Sequence, residues 1–306
     1  MEEIVGSGKY RYRVNEEWQQ PPDWLDVKAC AVSVDSQDRV YCFNRNDAHP
    51  IVIFDRNGKF VGSWGAGLFK FPHAIRIVPE NGEDRVWLCD EHHNQFYKFT
   101  TDGKLLQTIG EKGHRSETGV PTDDFSSQAW RKVTHGGGPF NLPTDIAFAP
   151  SGEFFIADGY GNARIHKFSA DAEYLYSWGE PGTAAGQFNL PHGVWVDSRG
   201  RVLVGDREND RVQVFDQQGN LLTIWPTELI GPAFFYVDRD DVVYIPEHNG
   251  GMISILTLDG ERLARWGDPI HRSCHGIWCD SRGDLYVVQP GAWTPRVRRV
   301  VKYERQ

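Results

Sequence analysis

The feature that most constrains this chain is that it repeats itself. Phe140-Asn-Leu-Pro-Thr-Asp-Ile-Ala-Phe-Ala-Pro-Ser-Gly152 returns as Phe188-Asn-Leu-Pro-His-Gly-Val-Trp-Val-Asp-Ser-Arg-Gly200, Asp158 to Phe168 returns as Asp206 to Phe215, and Ser63-Trp-Gly65 matches Ser177-Trp-Gly179. Copies start near Cys30, Phe71, Phe140, Phe188, Gly231 and Ser273. Each reads as an apolar strand, an Asp/Ser/Gly turn, a second strand ending near Asp or Asn, and a loop rich in Asn and Arg. A third strand ending in Phe and a fourth closing in Trp-Gly complete the unit. A period of roughly 40 to 50 residues with four short strands and no helical periodicity is that of a propeller blade. The expected fold is therefore all-β, a six-bladed β-propeller with four antiparallel strands per blade, forming a single domain over residues 1–306.

Two segments depart from the period. The last copy runs out after its third strand, Val297 to Tyr303, so the spare N-terminal strand Lys9 to Val14 is expected to close the final blade and remove the open edges at the seam. Residues 111–138 are polar, contain Gly136-Gly137-Gly138 and have no counterpart in other copies, which reads as an inserted lid.

Composition excludes some partners. Lys and Arg number 33 against 42 Asp and Glu, a formal charge of −9, which is the wrong sign for nucleic acid or an anionic membrane. No run reaches the length of a membrane span, the first residues lack a signal-peptide pattern, and five cysteines without a CxxC pair suit a reducing compartment; a cytoplasmic location is expected.

Equivalent positions of different blades lie at equivalent places around the axis. One column, near the start of each innermost strand, reads Cys30, His73, Thr144, His192, Ala233 and His275. Histidine thus occupies alternate blades, ~120° apart, and the three side chains are expected to converge on the axis. Three imidazoles around a vacant position form the ligand set of a catalytic zinc ion or another divalent transition metal. The loops after the second strands ring this point and carry Arg45 and Arg207 in one register of opposite blades, suited to clamping a carboxylate. They also carry Tyr160, whose phenol pKa is expected to fall beside arginine or a metal. His92 and His93 are minor candidates, and Arg164 and Arg211 are expected to bridge blades. The bland alternative is hydrogen-bonded channel histidines and a packed tyrosine.

Phe71-Pro-His73, Ala157-Asp-Gly-Tyr-Gly-Asn-Ala-Arg164, Gln187-Phe-Asn-Leu-Pro-His192 and Gly205-Asp-Arg-Glu-Asn209 resemble peptidylglycine α-hydroxyglycine amidating lyase, an NHL-repeat propeller, with the match in register over roughly residues 29 to 290. The resemblance implies zinc on His73, His192 and His275, a catalytic Tyr160, and active-site arginines at Arg45 and Arg207. It also implies cleavage of an N-acyl-α-hydroxyglycine to an amide and glyoxylate. Three departures stand out. Gly276 replaces the acidic residue that the family uses for a structural Ca2+ site, which argues against that ion; Gly161 replaces a disulfide cysteine; and Cys274 precedes the third histidine, a candidate to approach the metal. The expected function is a metal-dependent lyase acting on a small-molecule or peptide-derived N-(α-hydroxyalkyl) amide or related carbinolamine. The alternatives are a zinc-dependent hydrolase of a lactone, ester or amide, and a non-catalytic NHL-repeat interaction scaffold.

Overall fold

A computed structural model describes residues 3–267, 273–289 and 300–306. It is an all-β propeller of six sheets in chain order around one axis. Blade one comprises strands Ala29–Val34, Val40–Asn44, Ile51–Phe54 and Phe60–Trp64; blade two, Pro72–Glu80, Glu83–Asp90, Gln95–Thr100 and Leu105–Ile109; blade three, Pro143–Phe148, Phe154–Asp158, Arg164–Phe168 and Tyr174–Trp178. Blade four comprises Pro191–Val196, Val202–Asp206, Arg211–Phe215 and Leu221–Ile224; blade five, Tyr236–Val237, Val242–Glu247, Met252–Thr257 and Arg262–Gly267. All pairings between successive strands within a blade are antiparallel.

Blade six differs from expectation in its closure. Its inner strands Ile277–Cys279, Leu285–Val288 and Val300–Arg305 are completed by two N-terminal strands, Tyr10–Asn15 and then Ile4–Ser7, giving five strands instead of four. The start of the expected third strand, Val297, lies outside the described residues. Tyr12 and Tyr303 are buried in the cluster that joins blade six to Tyr244 and Ile255 of blade five, so closure is also a packing contact. Each fully buried aromatic ring of this kind contributes about 2–3 kcal/mol of hydrophobic stabilisation.

The turn chemistry explains the repeat. Between the first and second strands, Asp35, Asp197, Asp238 and Asp280 each accept backbone N–H bonds from residues two and four further on, closing the turn. Trp-Gly at the end of the fourth strand is linked to the next blade's Phe-Asn-Leu-Pro: Gly179 has φ +100°, and a Cβ there would meet the Phe188 ring at 2.4 Å. Blades pack through clusters such as Phe43, Ile51, Ile75, Leu88 and Phe99 between blades one and two. Among the described residues, no helix is long and apolar enough to cross a membrane.

Candidate metal centre and active site

In blades one to five the end of the second strand holds the loop that precedes the first. Asn44 accepts the Lys28 N–H, Asp90 accepts those of Lys70 and Phe71, Asp158 that of Asn141, Asp206 that of Asn189, and Glu247 that of Ile230. The held loop enters the inner strand through proline at 72, 143 and 191, and the next residue is bulged. Pairing skips from Pro72 to Ala74, from Pro143 to Asp145, from Pro191 to Gly193 and, in blade one, from Ala29 to Ala31. A bulge re-aims the residue it releases. The released residues are Cys30, His73, Thr144 and His192, four members of the column.

His73, His192 and His275 do converge. Their ring centroids are 4.9, 5.2 and 5.0 Å apart, and the atoms able to bind an ion lie within 4.8 Å of one another. Nδ1 of His73 lies 2.7 Å from the Thr144 carbonyl oxygen, Nδ1 of His192 3.0 Å from that of Ala233, and Nδ1 of His275 2.7 Å from that of Cys30. A carbonyl only accepts, so each neutral ring donates from Nδ1 and leaves the Nε2 lone pair for the axis. The acceptors are the remaining three column residues, which the sequence reading left without a role.

Burial drives the His73 pKa down to about 3, with Arg45 adding to the effect. His192 and His275 are likewise pushed well below the ordinary value, first by burial, then for His192 by Arg207 and for His275 by the His73 and His248 imidazoles. Neutral rings are the metal-binding form. Nε2 of His73 is buried without a hydrogen-bond partner. Three imidazole lone pairs within 4.8 Å of one another suit a single divalent ion once the rings draw in by about half an ångström, since donors each ~2.1 Å from an ion lie at most ~4.2 Å apart.

Phe234 closes one side of the triad, its ring 5.8, 4.9 and 4.9 Å from those of His73, His192 and His275. Beyond it, Arg76 Nε donates to Asp145 at 3.0 Å, and the guanidinium rests against Trp195 and Trp278. The other side opens into a cavity of about 340 Å³ whose walls include Arg45, Phe71, Glu91, Tyr160 and His248, with Phe125 and Ser127 from the inserted segment.

Tyr160 lies where the sequence reading put it, with its hydroxyl 3.4 Å from His192 Nε2 and accepting from Arg207 Nη1 at 3.0 Å. The flanking glycines are required by close backbone approach, since a Cβ at Gly159 would meet the Pro191 oxygen at 2.3 Å and one at Gly161 the Asn141 side chain at 2.2 Å. Val120 and Ala129 of the insertion pack with Leu142 and Leu190 around the ring. The expected fall in the phenol pKa is not found in the ion-free chain: burial raises it and outweighs the opposing Arg207 cation. The two arginines also divide their roles. Arg207 is buried and engaged by Tyr160 and, at 2.9 Å, by Glu208. Arg45 is exposed to the cavity, donates to the Pro72 carbonyl at 3.2 Å and lies 3.9 Å above the Phe71 ring.

Comparison with known proteins bears on this geometry. Residues 140–168 and 188–215 match the NHL repeat. Blades three and four carry NHL repeats. It is 32% identical over 226 residues to human NHL repeat-containing protein 3, covering 71% of this chain and 60% of that protein. It is 32% identical over 212 residues to peptidyl-alpha-hydroxyglycine alpha-amidating lyase 1 of Drosophila melanogaster, covering 65% of this chain and 34% of the fly protein. The chain thus spans three fifths or less of the length of these relatives. A gluconolactonase structure from Xanthomonas campestris shares the fold at a TM-score of 0.65 and 12% identity, over 98% of this chain and 94% of that one.

The shared blade register identifies two cavity residues that sequence reasoning missed. The backbone N–H groups of Arg45, Tyr160 and Arg207 donate to the carbonyls of Lys28, Leu142 and Leu190, each two residues before the column; Glu91 and His248 make the same bond, to Phe71 and Gly231. The register that singled out Arg45 and Arg207 would have found both. Glu91 is buried, and desolvation raises its carboxyl pKa. Burial also lowers His248 to about 3.

The minor candidates fall elsewhere. His93 pairs with Asp90 at 2.8 Å. His92 stacks on Phe71 at 4.1 Å and contacts Phe125 of the insertion at 4.8 Å, supporting two rings that line the cavity. Arg164 and Arg211 do not bridge to the strands of another blade but hold connecting segments, Arg164 binding Glu180 and the Gly136 carbonyl, and Arg211 binding Asp206 of its own blade and the Thr183 carbonyl. Cys274 does not approach the triad; it is buried with Tyr12, Ile253 and Ile277. Cys30 borders the cavity instead. All five cysteines are buried and free of disulfides.

Proposed function

We propose that this protein is a metal-dependent lyase that cleaves the C–N bond of an N-(α-hydroxyalkyl) amide or a related carbinolamine. The observation that carries the reading is the set of three axis-facing Nε2 lone pairs with the Tyr160 hydroxyl 3.4 Å from one of them. A zinc or similar divalent ion held by His73, His192 and His275 would supply Lewis acidity toward a substrate hydroxyl. The remaining work belongs to the chain's own groups. Tyr160 is placed to take the hydroxyl proton as phenolate, a form that the Arg207 bond together with a bound ion's charge would favour against the burial that raises its pKa in the ion-free chain. As that proton leaves, its electron pair forms the new carbonyl, the C–N pair moves to the amide nitrogen, and the nitrogen receives the proton that Tyr160 took, which returns the chain to its starting state. Arg45 faces the cavity, where it suits a substrate carboxylate or the charge that builds on the breaking bond. Phe234 and the Arg76–Asp145 pair close the axis below, so reactants pass on the side of the insertion.

The named amidating-lyase relatives support this reading over hydrolysis of a lactone, ester or amide at the same centre, and over a scaffold without an ion. The test begins with the metal content of the purified protein, followed by glyoxylate release from an N-acyl-α-hydroxyglycine in ¹⁸O water. A lyase leaves the amide unlabelled, whereas a hydrolase places solvent oxygen in its acid product. Tyr160→Phe should keep the ion and lower kcat by ~10²–10⁴; full kcat across the pH range would remove Tyr160 from the mechanism.

A further inference from the structure

We propose that the carboxylate of Glu91 coordinates the same ion, so that the centre takes three imidazole nitrogens and one oxygen from the chain. This rests on the metal reading above. Glu91 holds in blade two the position that Arg45, Tyr160, Arg207 and His248 hold in other blades, because its N–H is tied to Phe71, two residues before His73. The side chain is 3% exposed, borders the cavity, and places Oε2 3.8 Å from His73 Nε2.

The chemistry of that contact is unfavourable as it stands. The His73 proton is on Nδ1, engaged by the Thr144 carbonyl, so Nε2 faces Glu91 with a lone pair and has no hydrogen-bond partner. At 3.8 Å no hydrogen bond joins the two groups, whether the carboxyl is ionised or not. A buried lone pair therefore faces a buried carboxyl oxygen with no proton shared between them, an arrangement that a cation between them resolves. The distance suits one: two donors each ~2.1 Å from an ion stand at most ~4.2 Å apart, and 3.8 Å corresponds to an angle of roughly 130° at the ion. The second oxygen, Oε1, is turned to His92 Nε2 at 3.5 Å, and His92 is itself stacked on Phe71. Such outer contacts orient ligand carboxylates. An anionic oxygen would lower the net charge of the centre by one and favour harder divalent ions than three imidazoles alone.

Zinc affinity, measured by competition with a chromophoric chelator, and the visible absorption of the Co2+ form test this in the wild type, Glu91→Gln and Glu91→Ala. Gln keeps the shape, so it decides the matter should the Ala variant not fold. The expected result is a loss of zinc affinity of ~10-fold or more, with changed intensity and position of the Co2+ bands as an oxygen leaves the coordination sphere. Co2+ bands identical to wild type overturn the assignment, whatever the affinity, because Glu91 would then act only through its charge. A wild-type protein that binds no zinc would sink the metal reading as well; binding with a Glu91-insensitive spectrum sinks this inference alone.

Discussion

The even and odd blades place the same backbone position at the axis and use it in opposite ways. Blades two, four and six present imidazoles; blades three, five and one present the carbonyls that fix those imidazoles in one tautomer. A repeat array can thus build a centre from two interleaved sets, one specified by side chain and one by backbone. Only the first set demands a particular residue type. Thr144, Ala233 and Cys30 have nothing in common except a carbonyl oxygen and a side chain small enough to share the narrow axis.

The largest expected effect comes from breaking the even set. His192→Ala removes one Nε2 from the group of three and leaves the Ala233 carbonyl without its donor. Zinc affinity should fall well beyond the ~10–100-fold that follows loss of a group merely supporting a ligand. Turnover should vanish with it. Stoichiometric zinc in purified His192→Ala, measured by elemental analysis, would show that the imidazoles are channel lining.

The same contrast shows what could be read from residues alone. The period gave the blades, the column gave the histidines, and the loop register gave Arg45, Tyr160 and Arg207, because each is a choice of side chain at a repeated position. The second N-terminal strand was not legible: Ile4–Ser7 is four residues long, contains Gly6 at φ +80° and turns into Tyr10–Asn15 through Gly8, so it shows no alternation. Phe234 reads as ordinary core within Ala233-Phe234-Phe235, yet it fills the axis because the residues after the histidines at this level are Ala74, Gly193 and Gly276. Glu91 sits at the same register position as Arg45 and Arg207, masked in the sequence by the two adjacent histidines. The direction of the Tyr160 shift required knowing its burial, which no motif states.

Acid stability sharpens the comparison at a smaller scale. Unfolded histidine binds a proton below its ordinary pKa of 6.5, whereas folded His73 does so only near 3, and His192 and His275 are shifted in the same direction. Between those values the unfolded chain holds more protons, so the stability of the ion-free protein falls as pH drops below 6.5. Each imidazole contributes a slope of roughly 1.4 kcal/mol per pH unit within that window. Urea midpoints from pH 7 to pH 4 should decline steeply for the ion-free wild type and less steeply for His192→Ala. Equal slopes would mean that the column histidines titrate normally in the folded chain.

The smallest expected effect belongs to the odd set and is the more discriminating for that reason. Thr144 is fully buried, and its hydroxyl lies 3.0 Å from the Ala157 carbonyl and 3.2 Å from that of Pro191. Thr144→Val removes the hydroxyl, keeps the branched shape suited to a strand, and leaves the carbonyl that holds His73 in place. The cost should be about 0.5–1.5 kcal/mol, the net value of one buried hydrogen bond, seen as a lower melting temperature of the ion-free protein. Zinc affinity should stay within about twofold of wild type, since His73 retains its donor bond and its tautomer. A loss of zinc approaching that of His192→Ala would show that side chains of the odd blades help to build the centre, and the division between imidazole blades and carbonyl blades would have to be abandoned.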